Sequence, residues 1–351
     1  MRTWIGIAAS FGVAGLLGVL HYADANAVLQ FVVGIVALAL LAWTVGVGTE
    51  VVASRFGPAA TGVIQSTLGN LPELFIVVFA LRAGELVVAQ TSILGSLLAN
   101  ALLVLGLAIV AGAVRSEDGV MRFQRRLPND TTMLLMLVVF MIAIISTSLS
   151  LGDRAADNAE TISVVGAVLI LCVYGTWIAN YLRSDAEPAI EAGHAPPIAF
   201  RAGVAVLALA GVAAAFTSDW FVAVIDPATE ELGISKAFTG LVIVAIAGNA
   251  VENVVGIQLA WKRRYDLAVS VVKNSVAQIA AFLYPVLVLI SMLFSTHLTF
   301  GLPNTGLVLV VALVFAALAI WQITGDGEAA AYEGLALVAT YAVLATVVWF
   351  E

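Results

Sequence analysis

Two carboxylic acids lie where a membrane-embedded chain tolerates them least. Gly69-Asn70-Leu71-Pro72-Glu73 sits inside one apolar stretch, and Gly248-Asn249-Ala250-Val251-Glu252 sits inside another. The spacing repeats: 248 − 69, 252 − 73 and, for the serines of the next apolar stretches, 275 − 96 all equal 179. A charged side chain at the bilayer centre costs at least about 2.5 kcal/mol, so such residues mark ion or substrate pathways. One Asn or Glu alone on a membrane helix is as readily an interhelical hydrogen-bonding group. Two glutamates at matched positions of two halves point instead to a carrier built from internal repeats.

The neighbours of the two glutamates supply more oxygen. Residues three or four apart share a helix face, so Thr67, Asn70 and Glu73 line one face, and Asn249 and Glu252 another. Ser96 pairs with Asn100 in the same way, and Ser275 with Gln278. Gly69 and Gly248 let a neighbouring backbone or an ion approach. Pro72 removes an N–H and frees a carbonyl. Local unwinding at Gly95-Ser96 and Asn274-Ser275 would expose further carbonyls. Carboxylates, amides, hydroxyls and carbonyls form a set suited to a hard cation such as calcium, which takes six to eight oxygens. The absence of any His or Cys cluster in the sequence disfavours zinc and copper. Low dielectric disfavours the charged form of any carboxylate, and a bound cation restores it. One site can therefore hold a divalent cation or protons in turn, with Glu73 and Glu252 as the proton-coupling groups.

The elements that carry these residues follow from composition. The chain has 351 residues, of which 62% are hydrophobic and 11% charged. A soluble domain has about 45–50% apolar residues, so the sequence predicts an all-α integral membrane protein. Stretches of about 20 apolar residues span a bilayer. They occur at roughly 3–20, 27–49, 60–81, 86–113, 131–150, 160–182, 201–224, 237–261, 267–295, 301–323 and 331–350, eleven in all. The windows at 86–113 and 267–295 are long enough to be tilted or broken. The 179-residue offset maps the second helix onto the seventh, the third onto the eighth and the fourth onto the ninth. Residues 1–26 then form a leading helix, 27–182 a first five-helix repeat, 183–200 a polar linker and 201–351 a second five-helix repeat. Five is odd, so the second repeat enters the membrane from the opposite side and the repeats are inverted.

Loop charges set the orientation. Arg2, Arg55, Arg115, Arg122, Arg125, Arg126, Arg183, Arg201, Lys262, Arg263 and Arg264 fall on one side, and Arg82, Arg154 and Lys236 on the other. The expectation is a multi-pass protein of the cell membrane with a cytoplasmic N-terminus and an outer C-terminus. Ala23-Asp24-Ala25-Asn26-Ala27 also gives the first span the look of a signal peptide. The net charge of −8 comes without a basic stripe, so no nucleic-acid partner is expected. The expected partners are the lipid bilayer and calcium or another cation, with no resident cofactor.

At these motifs the chain resembles the calcium/proton antiporter (cation/proton exchanger) family of the calcium/cation antiporter superfamily. The resemblance rests on Gly48-Thr49-Glu50, on Gln65-Ser66-Thr67-Leu68 leading into the first acidic motif, and on the run from Gly95-Ser96 through Asn100 to Gly106. In the second half it rests on Leu232-Gly233-Ile234-Ser235, Gly248-Asn249-Ala250-Val251-Glu252, Asn274-Ser275-Val276-Ala277-Gln278-Ile279, Asp326-Gly327-Glu328 and Glu333-Gly334. It implies eleven helices and cation and proton binding at Glu73 and Glu252. It also implies site-lining roles for Asn70, Asn249, Ser96, Ser275 and Gln278. The chain departs from the family pattern at Asn253, where a histidine is usual, and at Lys273, where an apolar residue is usual. Pro72 is similar to the sodium/calcium exchanger branch.

Two readings of Lys273 are open from sequence. It snorkels to the cytoplasmic interface, or it is an internal cation paired with Glu252 or Glu73 and modulates the site. Glu50 is read as marking an inner mouth, and Asp226, Glu230 and Glu231 as lining an outer vestibule. Rival functions are a sodium-coupled or other-cation exchanger of the same fold, a non-transporting sensor or channel, and an intramembrane protease. For the protease, Tyr265-Asp266 and Gly325-Asp326 give only a partial match, at helix ends.

Overall fold

The computed structural model describes residues 2–53, 55, 64, 67–124, 126–183, 198–302 and 306–350, without the side chains of residues 2, 126–130, 181–183, 251–252 and 306–307. Residues 184–197 of the polar linker therefore lie outside the described set. Helices that are apolar all round dominate, as expected of membrane spans. Among the described residues, eight are long and apolar enough to cross a bilayer: Thr3–Tyr22, Ala27–Ala53, Leu86–Arg115, Thr131–Leu151, Ala156–Asn180, Phe200–Leu232, Tyr265–Ser291 and Ala331–Trp349. A bent pair, Lys236–Gly248 with Asn253–Trp261, makes a ninth. The windows at 60–81 and 301–323 fall partly outside the described residues. Their described parts are the helix Leu71–Ala83 and the apolar helix Val308–Thr324.

The chain divides into two compact units, Met1–Ser92 with Ile178–Val251 and Trp349–Glu351, and Ile93–Trp177 with Glu252–Val348. Each unit draws on both halves of the sequence.

In the first unit, α1 (Arg2–Tyr22) lies on α2 (Ala27–Ala53). The Thr44 hydroxyl donates to Ser10 Oγ at 2.7 Å, and Ser10 Oγ to the Leu40 carbonyl at 3.0 Å. Buried hydroxyls of this kind join helices where no hydrophobic drive exists between them. Helix α3 (Leu71–Ala83) closes on Gly84, whose φ of 83° suits a left-handed cap. Its partner α8 (Phe200–Leu232) also packs along α2. Phe221 fills the space left by Gly34, and its ring stacks on Phe31 with centroids 5.3 Å apart. Helix α8 runs on past the expected window at 201–224. Asp226, Glu230 and Glu231 thus sit on its last turns rather than in a loop. Asp226 pairs with Lys236, which also reaches Glu85 at 2.8 Å, and Glu231 accepts from Asn26. Two of the three carboxylates read as a vestibule are tied to protein partners.

The second unit contains α4 from Ile93 onward (α4 is Leu86–Leu98), a π-helical turn at Ala99–Val104, and α5 (Leu105–Arg115). It then holds α6 (Arg126–Leu151) and α7 (Ala159–Arg183, to Trp177). A short ribbon pairs β1 (Val120–Arg122) antiparallel with β2 (Glu328–Ala330), and Phe123 N–H donates to the Gly327 carbonyl at 2.8 Å. A close backbone crossing joins α5 to α15 (Ala331–Trp349). A Cβ added at Gly106 would lie 2.6 Å from the Gly334 carbonyl oxygen, and one at Gly334 would lie 2.6 Å from that of Gly106. The irregular segment 292–302 is held by side chains. Phe300 N–H donates to Ser163 Oγ at 3.1 Å, Leu302 N–H to Ser146 Oγ at 3.0 Å and Leu298 N–H to Ser291 Oγ at 2.8 Å. Satisfying non-helical backbone from inside the protein is the condition for keeping it near a membrane. His297 Nδ1 pairs with Glu160 at 3.0 Å on this segment, and that hydrogen bond holds the imidazole above its ordinary value of 6.5.

These contacts generate two expectations. Gly106→Ala or Gly334→Ala drives a methyl group into a carbonyl oxygen and lowers stability by about 1–3 kcal/mol. Gly12→Ala, with nothing within 4 Å of its added Cβ, is neutral or gains about 0.5–1 kcal/mol. Thermal unfolding in detergent compares the three. For His297, a raised folded value means the pair stabilises fully below pH 6.5 and fades as pH rises through the folded value. Ring NMR should show titration above 6.5 that returns toward it in Glu160→Gln; identical curves would remove the pair as a pH-dependent contact.

Candidate cation site

In the first unit, both motif asparagines stand at helix breaks. Asn70 precedes α3 with φ −84° and ψ 6°. Asn249 follows α10 (Ala245–Gly248) and precedes α11 (Ala250–Trp261) with φ −104° and ψ 16°. Both lie in the sparsely used bridge region, where active-site residues often sit. Asn70 is 5% exposed, Asn249 3% and Glu73 1%. Asn249 Nδ2 donates to the Ala245 carbonyl at 3.0 Å. Glu73 falls in the first turn of α3, where the helix dipole favours negative charge. Pro72 sits at the second position of the same helix. No intrahelical partner is lost there, so it starts the helix rather than breaking one. Gly248 lies against Glu73: a Cβ at 248 would be 4.0 Å from that of Glu73. The glycine of the second motif is thus brought to the glutamate of the first.

In the second unit, Ser96 and Asn100 are fully buried and share a face as expected. Asn100 Nδ2 donates to the Ser96 carbonyl at 3.0 Å. Its Oδ1 is buried and receives no hydrogen bond among the described residues, as suits a hard-cation ligand. Helix α12 (Tyr265–Gln278) carries buried Ser275 and Gln278, followed by a π-helical turn at Ile279–Leu283 and α13 (Tyr284–Ser291). Helix α12 packs against the turn that carries Asn100. Gly256 of α11 lies on Val272 of α12, with Val104 beyond. Asn253 is partly buried, and its Oδ1 also receives no hydrogen bond among the described residues. Glu252 has its backbone in α11, but its side chain lies outside the described residues. Among the described residues, no three His, Cys, Asp or Glu gather to hold a metal ion. The first unit offers a carboxylate with amide groups, and the second offers amide and hydroxyl oxygens.

Several expectations are corrected. Gly95-Ser96 and Asn274-Ser275 stay helical, and the helices loosen three to five residues further on, in the π turns at Ala99–Val104 and Ile279–Leu283. The two turns end at matched positions of the repeats, since 104 + 179 = 283. A third lies at Thr239–Val244, after the short helix α9 (Lys236–Phe238). Lys273 does not snorkel. It is 3% exposed and donates to Thr132 and Thr324. Glu50 is exposed at the end of α2 and is not among the buried groups. Sequence reasoning missed Thr91, whose Oγ1 occupies the space that a Cβ at Gly240 would need, and Tyr174, which stacks on Phe282 and borders Gln278. The glycine at 240 is the available signal for the first. An aromatic in an apolar run carries none for the second.

The model of the sodium/calcium exchanger protein family matches residues 26–182 and 202–350. The chain is 33% identical to a vacuolar calcium ion transporter of Schizosaccharomyces pombe, over 91% of this chain and 78% of that protein. It is 30% identical to the Ca2+/H+ antiporter ChaA of Bacillus subtilis, over 97% of each. The solved structure of native YfkE superposes with a TM-score of 0.83 at 27% identity, covering 100% of both chains. With both halves matched by one family model, and relatives of this identity along nearly its whole length, the chain belongs to the sodium/calcium exchanger protein family.

Proposed function

We propose that this multi-pass membrane protein is a secondary active antiporter that exchanges a divalent cation, calcium, for protons by alternating access around Glu73 and Glu252. The observation that carries the reading is Glu73, 1% exposed at the start of a broken helix, with Gly248 of the second motif against it. A carboxylate so placed is stable with a cation or a proton on it and costly with neither. Asn70, Asn249, Ser96, Asn100, Ser275 and Gln278 complete the oxygen set. Two carboxylates exchange two protons for one divalent ion without net change of charge at the site. The names of the relatives, a Ca2+/H+ antiporter and a calcium ion transporter, support the choice of cargo and of a transporter over an enzyme. The loop charges support a cell-membrane protein with its N-terminus in the cytoplasm, eleven spans and two inverted five-helix repeats. In that orientation proton entry drives calcium export.

A sodium-driven cycle is the second reading. Asn253 favours it: next to Glu252 in sequence, it carries a non-titrating oxygen, Oδ1, that receives no hydrogen bond among the described residues.

Calcium uptake into proteoliposomes under an imposed pH gradient tests the first reading. Uptake should follow the gradient and disappear in Glu73→Gln and in Glu252→Gln. Uptake that persists in both, or that follows sodium alone, would overturn it. Asn100→Ala should lower stability by no more than about 1 kcal/mol, the worth of the single hydrogen bond to Ser96. It should also shrink the rise in melting temperature that calcium produces, because bound ligand stabilises in proportion to affinity. An unchanged calcium-induced shift would remove Asn100 from the site.

A further inference from the structure

Helix α12 is tied into its unit at two levels on one face. Near its start, Asp266 Oδ1 accepts from Gln124 N–H, just past β1, at 2.7 Å. Seven residues on, two turns and about 10 Å along the axis, Lys273 Nζ donates to Thr132 Oγ1 of α6 at 3.1 Å. It also donates to Thr324 Oγ1, the last residue of α14 (Gly306–Thr324), at 2.7 Å. Thr324 spends its own proton on the Ile320 carbonyl at 2.6 Å. Its oxygen is therefore turned to the ammonium as an acceptor.

The order of residues along α12 gives these ties their meaning. Ser275 and Gln278 come directly after the second tie, and the π turn at Ile279–Leu283 comes directly after Gln278. The space beside Lys273, lined by Ala101, Leu105 and Val276 among others, is a cavity of about 10 Å³. That is room for one water at most, so the ammonium holds helices rather than a ligand. An ionisable side chain buried in a membrane is costly, which marks Lys273 as a candidate for a functional role.

We propose that Lys273 is a positioning residue for transport. Its bonds to Thr132 and Thr324 fix the first half of α12 against α6 and α14. Ser275 and Gln278 are thereby presented to the cation from a rigid base, and the π turn beyond them takes up the motion of the cycle. The proposal rests on the exchange reading for the role of Ser275 and Gln278, while the tether itself stands on geometry alone.

The test compares wild type, K273M and the double variant T132V/T324V, which keeps the lysine and removes the Thr132 and Thr324 hydroxyls. Gradient-driven calcium uptake gives KM and kcat, and hydrogen–deuterium exchange follows residues 265–278. Both variants should raise KM about tenfold with a smaller effect on kcat, the scale of a lost hydrogen bond to a charged group. Both should speed exchange across residues 265–278. If K273M does not fold, the double variant decides. A fall in KM in K273M, with the double variant unchanged, would mean that the lysine acts by repelling the cation, and would overturn the proposal. Wild-type KM and exchange in both variants would also overturn it. A wild-type protein that moves no calcium removes the exchange reading, and the hydrogen–deuterium data then still decide the tether.

Discussion

The interior of a bilayer supplies no water, so each polar atom there needs a partner from the protein or from a passenger. The rest of this structure depends on that constraint. Ser10 and Thr44 meet it by bonding to each other and to backbone carbonyls, and in doing so fasten α1 to α2. Asn100 and Asn249 meet it in part through their own helices. Each spends its amide nitrogen on the carbonyl four residues back, at 3.0 Å, which fixes the side chain against its own helix. For Asn100 the remaining oxygen has no protein donor among the described residues. The same rule that builds the scaffold thereby leaves an acceptor that a hard cation can use.

Rigid and yielding parts are distributed accordingly. Glycines at crossings bring neighbouring elements into close contact, backbone to backbone at Gly106 and Gly334 and backbone to ring at Gly34 beneath Phe221. Such contacts resist sliding because close-packed surfaces have no slack. The broken helices carry the motif amides Asn70 and Asn249, and two of the three π turns lie at or next to Asn100 and Gln278. Segments with strained or loosened backbone cluster where function requires two arrangements.

Much of this is legible in the residues. The 179-residue recurrence of the acidic motifs locates the candidate site, and apolar windows locate the spans. Both are local signals that derive directly from the cost of charge in lipid. The rest is hidden for physical reasons. A helix that is apolar on all sides shows no periodicity, so an extra residue in a π turn leaves no trace in hydropathy, and the glycine and asparagine at Gly95-Ser96 and Asn274-Ser275 draw the expectation of unwinding instead. Pro72 reads as freeing a carbonyl because the start of α3 is not marked by a polar boundary. The setting of Lys273 depends on threonines at 132 and 324, 141 and 51 residues away. Those partnerships exist only once α6, α12 and α14 have packed.

The matched π turns have a consequence for how chains of this kind vary. A π turn holds one residue more than an α-helix of the same path, and each α-helical residue turns the chain by about 100°. Loss of one residue within 99–104 or 279–283 would restore an unbroken helix along the same path, leaving the residues beyond in place and re-aiming those of the turn itself by up to about 100°. Asn100 lies inside the first turn, and Gln278 abuts the second. Single-residue gaps between relatives are therefore least disruptive to the span and most disruptive to the amide oxygens at these two places. A relative one residue shorter there would keep its place in the membrane while presenting a different set of atoms to whatever passes through.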